Sequence, residues 1–291
     1  MKDINIFCFG FGQVAKNFIR KLKSEKLNIK LSTTSREKTK QKKIDDISYR
    51  SFHFDGKNYD KALIEQLKKS DYILLSIAPI DGEDIVIKNF QTIIEKSNPK
   101  WITYLSATSV YGDHKGEWVD EESETKPTSR NGVDRLNAEK LWMSLANNKH
   151  LPIQIFRLSG IYSNKRNILS RIKSGNVKII KKKNHFFSRI HVEDIANILF
   201  KSLEKFKPKE IYNISDDKPA SLEEVALFGF KLLEVKKPKI IEVDLIESEM
   251  TKNFYKDSKK VSNKKMKKFF KFELKFPTYI EGLNYIRNNF L

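Results

Sequence analysis

The sequence predicts an α/β fold, a doubly wound parallel sheet followed by a smaller C-terminal α/β domain, and three observations carry that expectation. Short apolar runs alternate with amphipathic stretches through the first half of the 291 residues. A glycine-rich turn joins the first apolar run to the first amphipathic stretch. After Leu158 the alternation gives way to shorter elements, so the second half needs a core of its own.

Taken in order, Ile4 to Phe9 is a nearly continuous apolar run and reads as a strand fully buried in a parallel sheet. Val14, Phe18 and Leu22 recur at helical spacing, which makes Val14 to Ser24 a helix. Ile29 to Thr33 and Ser51 to Phe54 read as strands. Leu63 and Leu67 place a helix over Tyr59 to Lys69, and Tyr72 to Ile77 is the next strand. Val86, Phe90 and Ile94 mark a helix over Glu83 to Lys96, followed by a strand at Trp101 to Ser106. Gly132 to Asn147 is helical through Ala138, Trp142 and Ala146, and Ile153 to Leu158 is again a strand. Beyond it come a short helix at Ile168 to Ser174, a strand at Ile211 to Ile214 and a closing helix around Tyr279 to Asn289. The domains are therefore expected at 1–160, with the sheet completed by 190–214, and at 161–291.

Bulk properties narrow the class. With 39% hydrophobic residues, no run long enough to span a bilayer, and an N-terminus that enters a strand without a signal-peptide pattern, a cytoplasmic protein with no membrane partner is expected. The single cysteine, Cys8, sits in an apolar strand, which predicts a buried thiol and excludes an intrachain disulfide and most zinc sites. The net charge is +19, and nine basic residues with no acid lie between Lys165 and Arg189. A second Lys-rich stretch runs from Lys252 to Lys275. No nucleic-acid module accompanies these clusters, and the aromatics among the C-terminal lysines look like core. A small-molecule partner is expected rather than a nucleic acid, and a homodimer is left open.

The first chemical signal is Gly10-Phe11-Gly12-Gln13-Val14-Ala15, a G-x-G-x-x-A pattern directly after a strand and opening a helix, the context of a Rossmann-type dinucleotide site. Gly10 permits the tight turn, Gly12 lets backbone amides approach a pyrophosphate, and Ala15 keeps the helix close to the strand. Gln13 and Val14 complete the turn. An acid at the end of the second strand would bind the ribose hydroxyls of NAD, yet Thr34, Ser35 and Arg36 stand there. Hydroxyls and a guanidinium suit a 2′-phosphate, so NADP is preferred over NAD.

Several further segments carry a family resemblance: Leu105 to Asp113 (LSATSVYGD), Ala138-Glu139, Phe156 to Tyr162 (FRLSGIY), Arg189 to Ala196 (RIHVEDIA), Tyr212 to Ser215 (YNIS) and Lys260 to Asn263 (KVSN). The chain resembles an atypical, extended-type member of the short-chain dehydrogenase/reductase superfamily, close to the NAD(P)-dependent epimerase/dehydratase-like proteins. The resemblance implies a cofactor on the N-terminal domain and a substrate between it and the C-terminal one. It also implies that Ala78 and Pro79 pass near the adenine ribose and that Asp55 contacts the adenine.

Members with full activity use a Tyr-x-x-x-Lys pair and a nearby Ser or Thr. Here Asn131 stands at the Tyr position and Arg135 at the Lys position. Asn has no proton to exchange near neutral pH, and a guanidinium anchors without acting as a base. Ser106 and Thr108 flank Ala107, which occupies the Ser or Thr position. The catalytic candidates are therefore Tyr111, Thr108, Ser106 and Arg135, with Arg135 also expected to hold cofactor. His191 has the right range for proton transfer but is expected to serve structure. Substrate contacts are expected from Tyr111, Asn131, Asn167 and Arg189, and no metal is expected. The leading function is an NAD(P)-dependent oxidoreductase, epimerase or dehydratase acting on a small, anionic or sugar-like metabolite. The alternative is a non-catalytic dinucleotide-binding sensor or scaffold.

Overall fold

A computed structural model describes residues 3–175, 177–248 and 255–291, so Lys252, the start of the second Lys-rich stretch, lies outside the described residues. The chain divides into two compact units. The first comprises 1–107, 133–157 and 195–212; the second comprises 108–132, 158–194 and 213–291.

The first unit holds a large, mostly parallel sheet. Its strands are β1 (Asp3–Phe9), β2 (Asn28–Ser35), β3 (Lys40–Ile44), β4 (Ile47–His53), β5 (Tyr72–Leu75), β6 (Trp101–Ala107) and β8 (Ile153–Leu158), with β12 (Ile211–Ile214) at one edge. The order β12-β8-β6-β5-β1-β2-β4-β3 reverses direction at β1, the doubly wound arrangement that the alternating sequence predicts. Side chains alternate across the sheet: Phe7, Phe9, Ile73, Leu75, Ile102, Tyr104, Ile153 and Ile155 share one core. Helices α2 (Ala62–Lys68), α3 (Ile85–Ser97) and α4 (Arg130–Asn148) pack their apolar residues into it. On the opposite face Trp101 meets Phe18 of α1 (Gln13–Ser24) and donates its indole N–H to Ser202 of α6 (Val192–Glu204). Cys8 is fully buried and desolvation raises its thiol pKa, which makes it inert.

Among the elements that differ from the sequence expectation are two of the first unit. The helix expected from Tyr59 begins at Ala62, because Asp60 accepts the Ala62 amide and ends the preceding turn. More consequentially, β3 pairs antiparallel with β4 in a hairpin whose turn carries Asp45 in the left-handed region. The run Lys40-Gln-Lys-Lys-Ile has no apolar period because neither face of this edge strand is buried: only Ile44 is in the core.

The second unit is built from short parallel pairs. Strand β7 (Trp118–Val119) pairs with β14 (Lys260–Val261), β9 (Gly160–Tyr162) with β11 (Arg189–His191), and β10 (Ile179–Lys181) with β13 (Ile240–Glu242). Helices α5 (Ile168–Lys173), α7 (Leu222–Leu232), α8 (Lys264–Phe270) and α9 (Tyr279–Phe290) complete it. Tyr162, Leu169, Val225, Tyr279, Leu283 and Ile286 form its main core. The turn after Tyr111 requires glycine: Gly112 has φ +68°, and a Cβ there would lie 1.9 Å from the Lys126 carbonyl oxygen.

Candidate functional site

At the end of β1 the chain turns at Gly10, whose φ of +81° favours glycine. The Gly10 amide donates to Thr34 Oγ1 at 2.9 Å, and Ser76 Oγ donates to the Phe9 and Gly10 carbonyls, both at 3.0 Å. The loop is thus clamped from β2 and from the segment after β5. Gly12 is the N-cap of α1, in extended conformation and without a side-chain cap. Among the described residues, apart from its chain neighbours and its own helix, no atom lies within 4 Å of where its Cβ would stand, so that space is open. With no acid in the first turn of α1, its uncapped amides and the helix dipole favour an anion there. A dinucleotide pyrophosphate fits this cradle.

Beside the turn lies a cavity of about 400 Å³ whose wall includes Gly10, Thr34, Ser35, Arg36 and Asp55. Five of the expected cofactor residues are therefore brought together in one unit. Thr34 is buried and its hydroxyl accepts from Gly10, so it holds the loop; Ser35 Oγ accepts from Ser51 Oγ at 3.1 Å. Arg36 is exposed on the wall. Glu37 follows it, but Lys40 and Lys42 hydrogen-bond to its carboxylate and hold its pKa below the usual range, which neutralises the one acid near the strand end. The Asp55 carboxylate accepts the amides of Asn58 and Lys57 at 2.7 and 2.8 Å, and these bonds hold its pKa at about 2. Val14 is packed in the core, Gln13 is half-buried, and Ala78 and Pro79 stand outside the wall, which Ile77 and Ile80 supply instead. Phe11, Lys42, Tyr49 and Ser51 also line the cavity. Three of these four belong to the β3–β4 hairpin, and no motif announces them.

The catalytic candidates fare differently. Ser106, at the end of β6, is 2% exposed, and its hydroxyl has no hydrogen-bond partner among the described residues. Thr108 is half-buried at the start of the short turn Thr108–Tyr111. Helix α4 carries Asn131, which is exposed, and Arg135, whose Nη1 donates to the Leu105 carbonyl at 3.0 Å.

Three of the expected residues make local bonds inside the second unit. Tyr111 is fully buried and its hydroxyl donates to Asn213 Oδ1 at 2.8 Å, so it is spent on the fold of its own unit. Asn167 caps α5: its side chain accepts the Ser170 amide and donates to the Ser163 and Asn164 carbonyls. Arg189 is buried and donates to the carbonyls of Phe187 and Ala220 at 2.8 and 2.9 Å; burial lowers its pKa to about 10. Both side chains are buried, Asn167 6% and Arg189 7% exposed. His191 is also structural in placement, 1% exposed between Tyr162 and Phe276, with its Nδ1 accepting the Glu193 amide.

Among the described residues there is no His, Cys, Asp and Glu cluster able to hold a metal ion, and no helix is long and apolar enough to cross a membrane. The profile of the NAD dependent epimerase/dehydratase family matches residues 10–215. Among solved structures, a functionally unknown conserved protein from Silicibacter pomeroyi is 30% identical, with a TM-score of 0.86 over 99% of each chain. UDP-N-acetylglucosamine 4-epimerase from Bacillus cereus is 18% identical, with a TM-score of 0.76 over 99% of this chain and 100% of that one. dTDP-glucose 4,6-dehydratase from Bacillus anthracis, solved in complex with NAD, is 18% identical with a TM-score of 0.76 over 100% of this chain and 98% of that one. These last two are similar in fold. No curated protein matches the chain.

Proposed function

Because the chain belongs to the NAD dependent epimerase/dehydratase family, we propose that it binds a nicotinamide dinucleotide and uses it in redox chemistry on a small, anionic or sugar-like metabolite. The observation that carries this reading is the uncapped, glycine-lined N-terminus of α1 opening beside the Thr34–Arg36 cavity. The pyrophosphate would be held by the α1 amides and the adenosine by the cavity wall. NADP is preferred over NAD, because Arg36 offers a guanidinium to a 2′-phosphate, while Glu37 beside it is paired with two lysines and the Asp55 carboxylate, also in the wall, is taken up by the Lys57 and Asn58 amides.

A nicotinamide bound here would accept or return a hydride. The chain's own residues supply position and polarity. Arg135, fixed on the Leu105 carbonyl, presents a permanent charge for the cofactor's ribose end, and Ser106 offers a buried hydroxyl without an internal partner. With Tyr111 bonded to Asn213 and Asn131 unable to titrate, the Ser106 and Thr108 hydroxyls would hydrogen-bond the reacting oxygen, and the proton itself would come from the substrate's own hydroxyl or from water. The second reading, a dinucleotide sensor or scaffold without turnover, is favoured by that same engagement of Tyr111.

Calorimetric titration of NADP(H) and NAD(H) tests the proposal. The native chain should bind NADP(H) more tightly, and Arg36→Ala should lose about 1.5–3 kcal/mol for NADP(H) alone, the worth of a charged hydrogen bond. Equal affinity for the two cofactors would overturn the preference, and binding of neither would overturn the proposal itself. Oxidation of NADPH in a screen of sugar nucleotides and small keto acids separates the enzyme from the sensor.

A further inference from the structure

The second unit contains a hollow of about 800 Å³ far in sequence from the glycine turn, formed where the end of α5 meets the end of α7 and the segment leading into β13. Its floor is apolar: Ile172, Val177, Phe230 and Leu233, with Val235 47% exposed at the edge. The first four of these belong to a small core shared with Ile179 and Ile240, so the floor is fixed by packing. Every charged side chain in the wall is a lysine: Lys173, Lys236, Lys237 and Lys239.

Elsewhere on this cationic molecule, many lysines are answered by a carboxylate, as at Lys21–Glu25, Lys68–Glu65, Lys88–Glu83 and Lys100–Asp71. Around the hollow the acids are spent on other cations. Glu234 goes to Arg287 and Glu242 to Lys181, both at 3.5 Å. Lys173 donates to an oxygen of Leu291, the last residue of the sequence, at 3.5 Å, so the charge left without an acidic partner is that of the 236–239 lysines. Lys236, Lys237 and Lys239 have no carboxylate partner among the described residues. An apolar floor ringed by uncompensated positive charge is complementary to a molecule with an apolar body and a negative head.

We propose that this hollow binds a single-chain anionic amphiphile, a fatty-acid carboxylate, with its chain on the Ile172–Phe230–Val235 floor and its head among the lysines of 236–239. The volume lies within the range of about 300–1,000 Å³ usual for small-molecule sites, whereas a bilayer or a partner helix would call for a flat or extended apolar surface. The proposal stands apart from the cofactor reading, since the hollow shares no residue with the glycine turn.

Calorimetric titration of the full chain with laurate below its micelle concentration is the test. Saturable binding is expected, tightening about fourfold for each methylene from decanoate to myristate, as burial of the chain requires. Dodecanol, which lacks the charge, should bind more weakly than laurate. The triple variant Lys236→Glu, Lys237→Glu, Lys239→Glu should lose about tenfold or more in affinity, the sum of several exposed charge contacts. Val235→Asp, at an exposed position that leaves the core intact, should lose binding altogether. Both variants should titrate NADP(H) like the native chain, which separates failure here from failure of the cofactor site or of folding. Absence of laurate binding, indifference to both variants, or a preference for phosphatidylglycerol vesicles or an acidic amphipathic peptide over monomeric laurate would each overturn the proposal.

Discussion

Arg135 keeps the charge of a lysine and gives up its reversibility, and one guanidinium nitrogen is fixed on the Leu105 carbonyl, which aims the fork from α4 toward the end of β6. Arg135→Ala should therefore weaken NADP(H) binding by about 1–3 kcal/mol, read by fluorescence titration of NADPH. Tyr111 makes the opposite case. Its phenol is bonded within a buried pair with Asn213, so Tyr111→Phe should lower the urea midpoint by leaving Asn213 Oδ1 with one donor fewer, and leave NADPH affinity and any turnover unchanged. Turnover abolished at an unaltered midpoint would restore Tyr111 as a proton donor. At this scale the sequence identifies which residue types are missing, because Asn131 and Arg135 sit in a recognisable frame. It does not reveal that Tyr111, Asn167 and Arg189 are consumed by local bonds, since each bond is made to a residue or carbonyl chosen by the fold.

Among elements, the strand–glycine–helix unit is fully legible, because the chemistry that binds an anion and the sterics of the turn both demand specific residues at Gly10 and Gly12. The β3–β4 hairpin is not, because nearly all of its edge strand is exposed and its lysines carry no periodic signal, yet it supplies Lys42, Tyr49 and Ser51 to the cavity. Helix α3 falls between. Its apolar period is plain, while its start is fixed by Asp84, which accepts the Val86 and Ile87 amides at 2.9 and 3.0 Å and also the Trp142 indole N–H of α4 at 2.8 Å. One carboxylate thus ties two helices to the same face of the sheet. Asp84→Ala removes the cap and strands a buried indole donor, which together cost about 2–4 kcal/mol in chemical denaturation. Asp84→Asn retains an acceptor and avoids burying a charge whose pKa is already raised by desolvation, so it should cost much less. Equal losses in the two variants would show that the cap and indole bonds do not set the stability of this helix pair.

For the molecule as a whole, the expected response to acid is set by buried groups of the second unit that shift in opposite directions. Desolvation lowers His191 and His185 from 6.5 to about 4, whereas it raises Asp194 from 3.8 to about 6. For each histidine the folded pKa lies below the unfolded one, so the unfolded chain takes up the proton first and stability is lost as pH falls from about 6.5 toward 4. For Asp194 the folded pKa is raised, so its contribution is fully present below about 3.8 and is lost as pH rises through about 6. The terms oppose one another between pH 4 and 6, and the native chain should therefore show a shallower acid slope than its histidines alone would give. His191→Gln isolates one term. Near pH 7.5 the variant should be less stable than the native chain because a close-packed ring between Tyr162 and Phe276 is lost, but near pH 5 that deficit should shrink by about 2 kcal/mol as the native histidine alone meets the cost of charging. Urea midpoints of both proteins at the two pH values decide it. A deficit that is constant with pH would mean that His191 takes up its proton as readily in the fold as out of it.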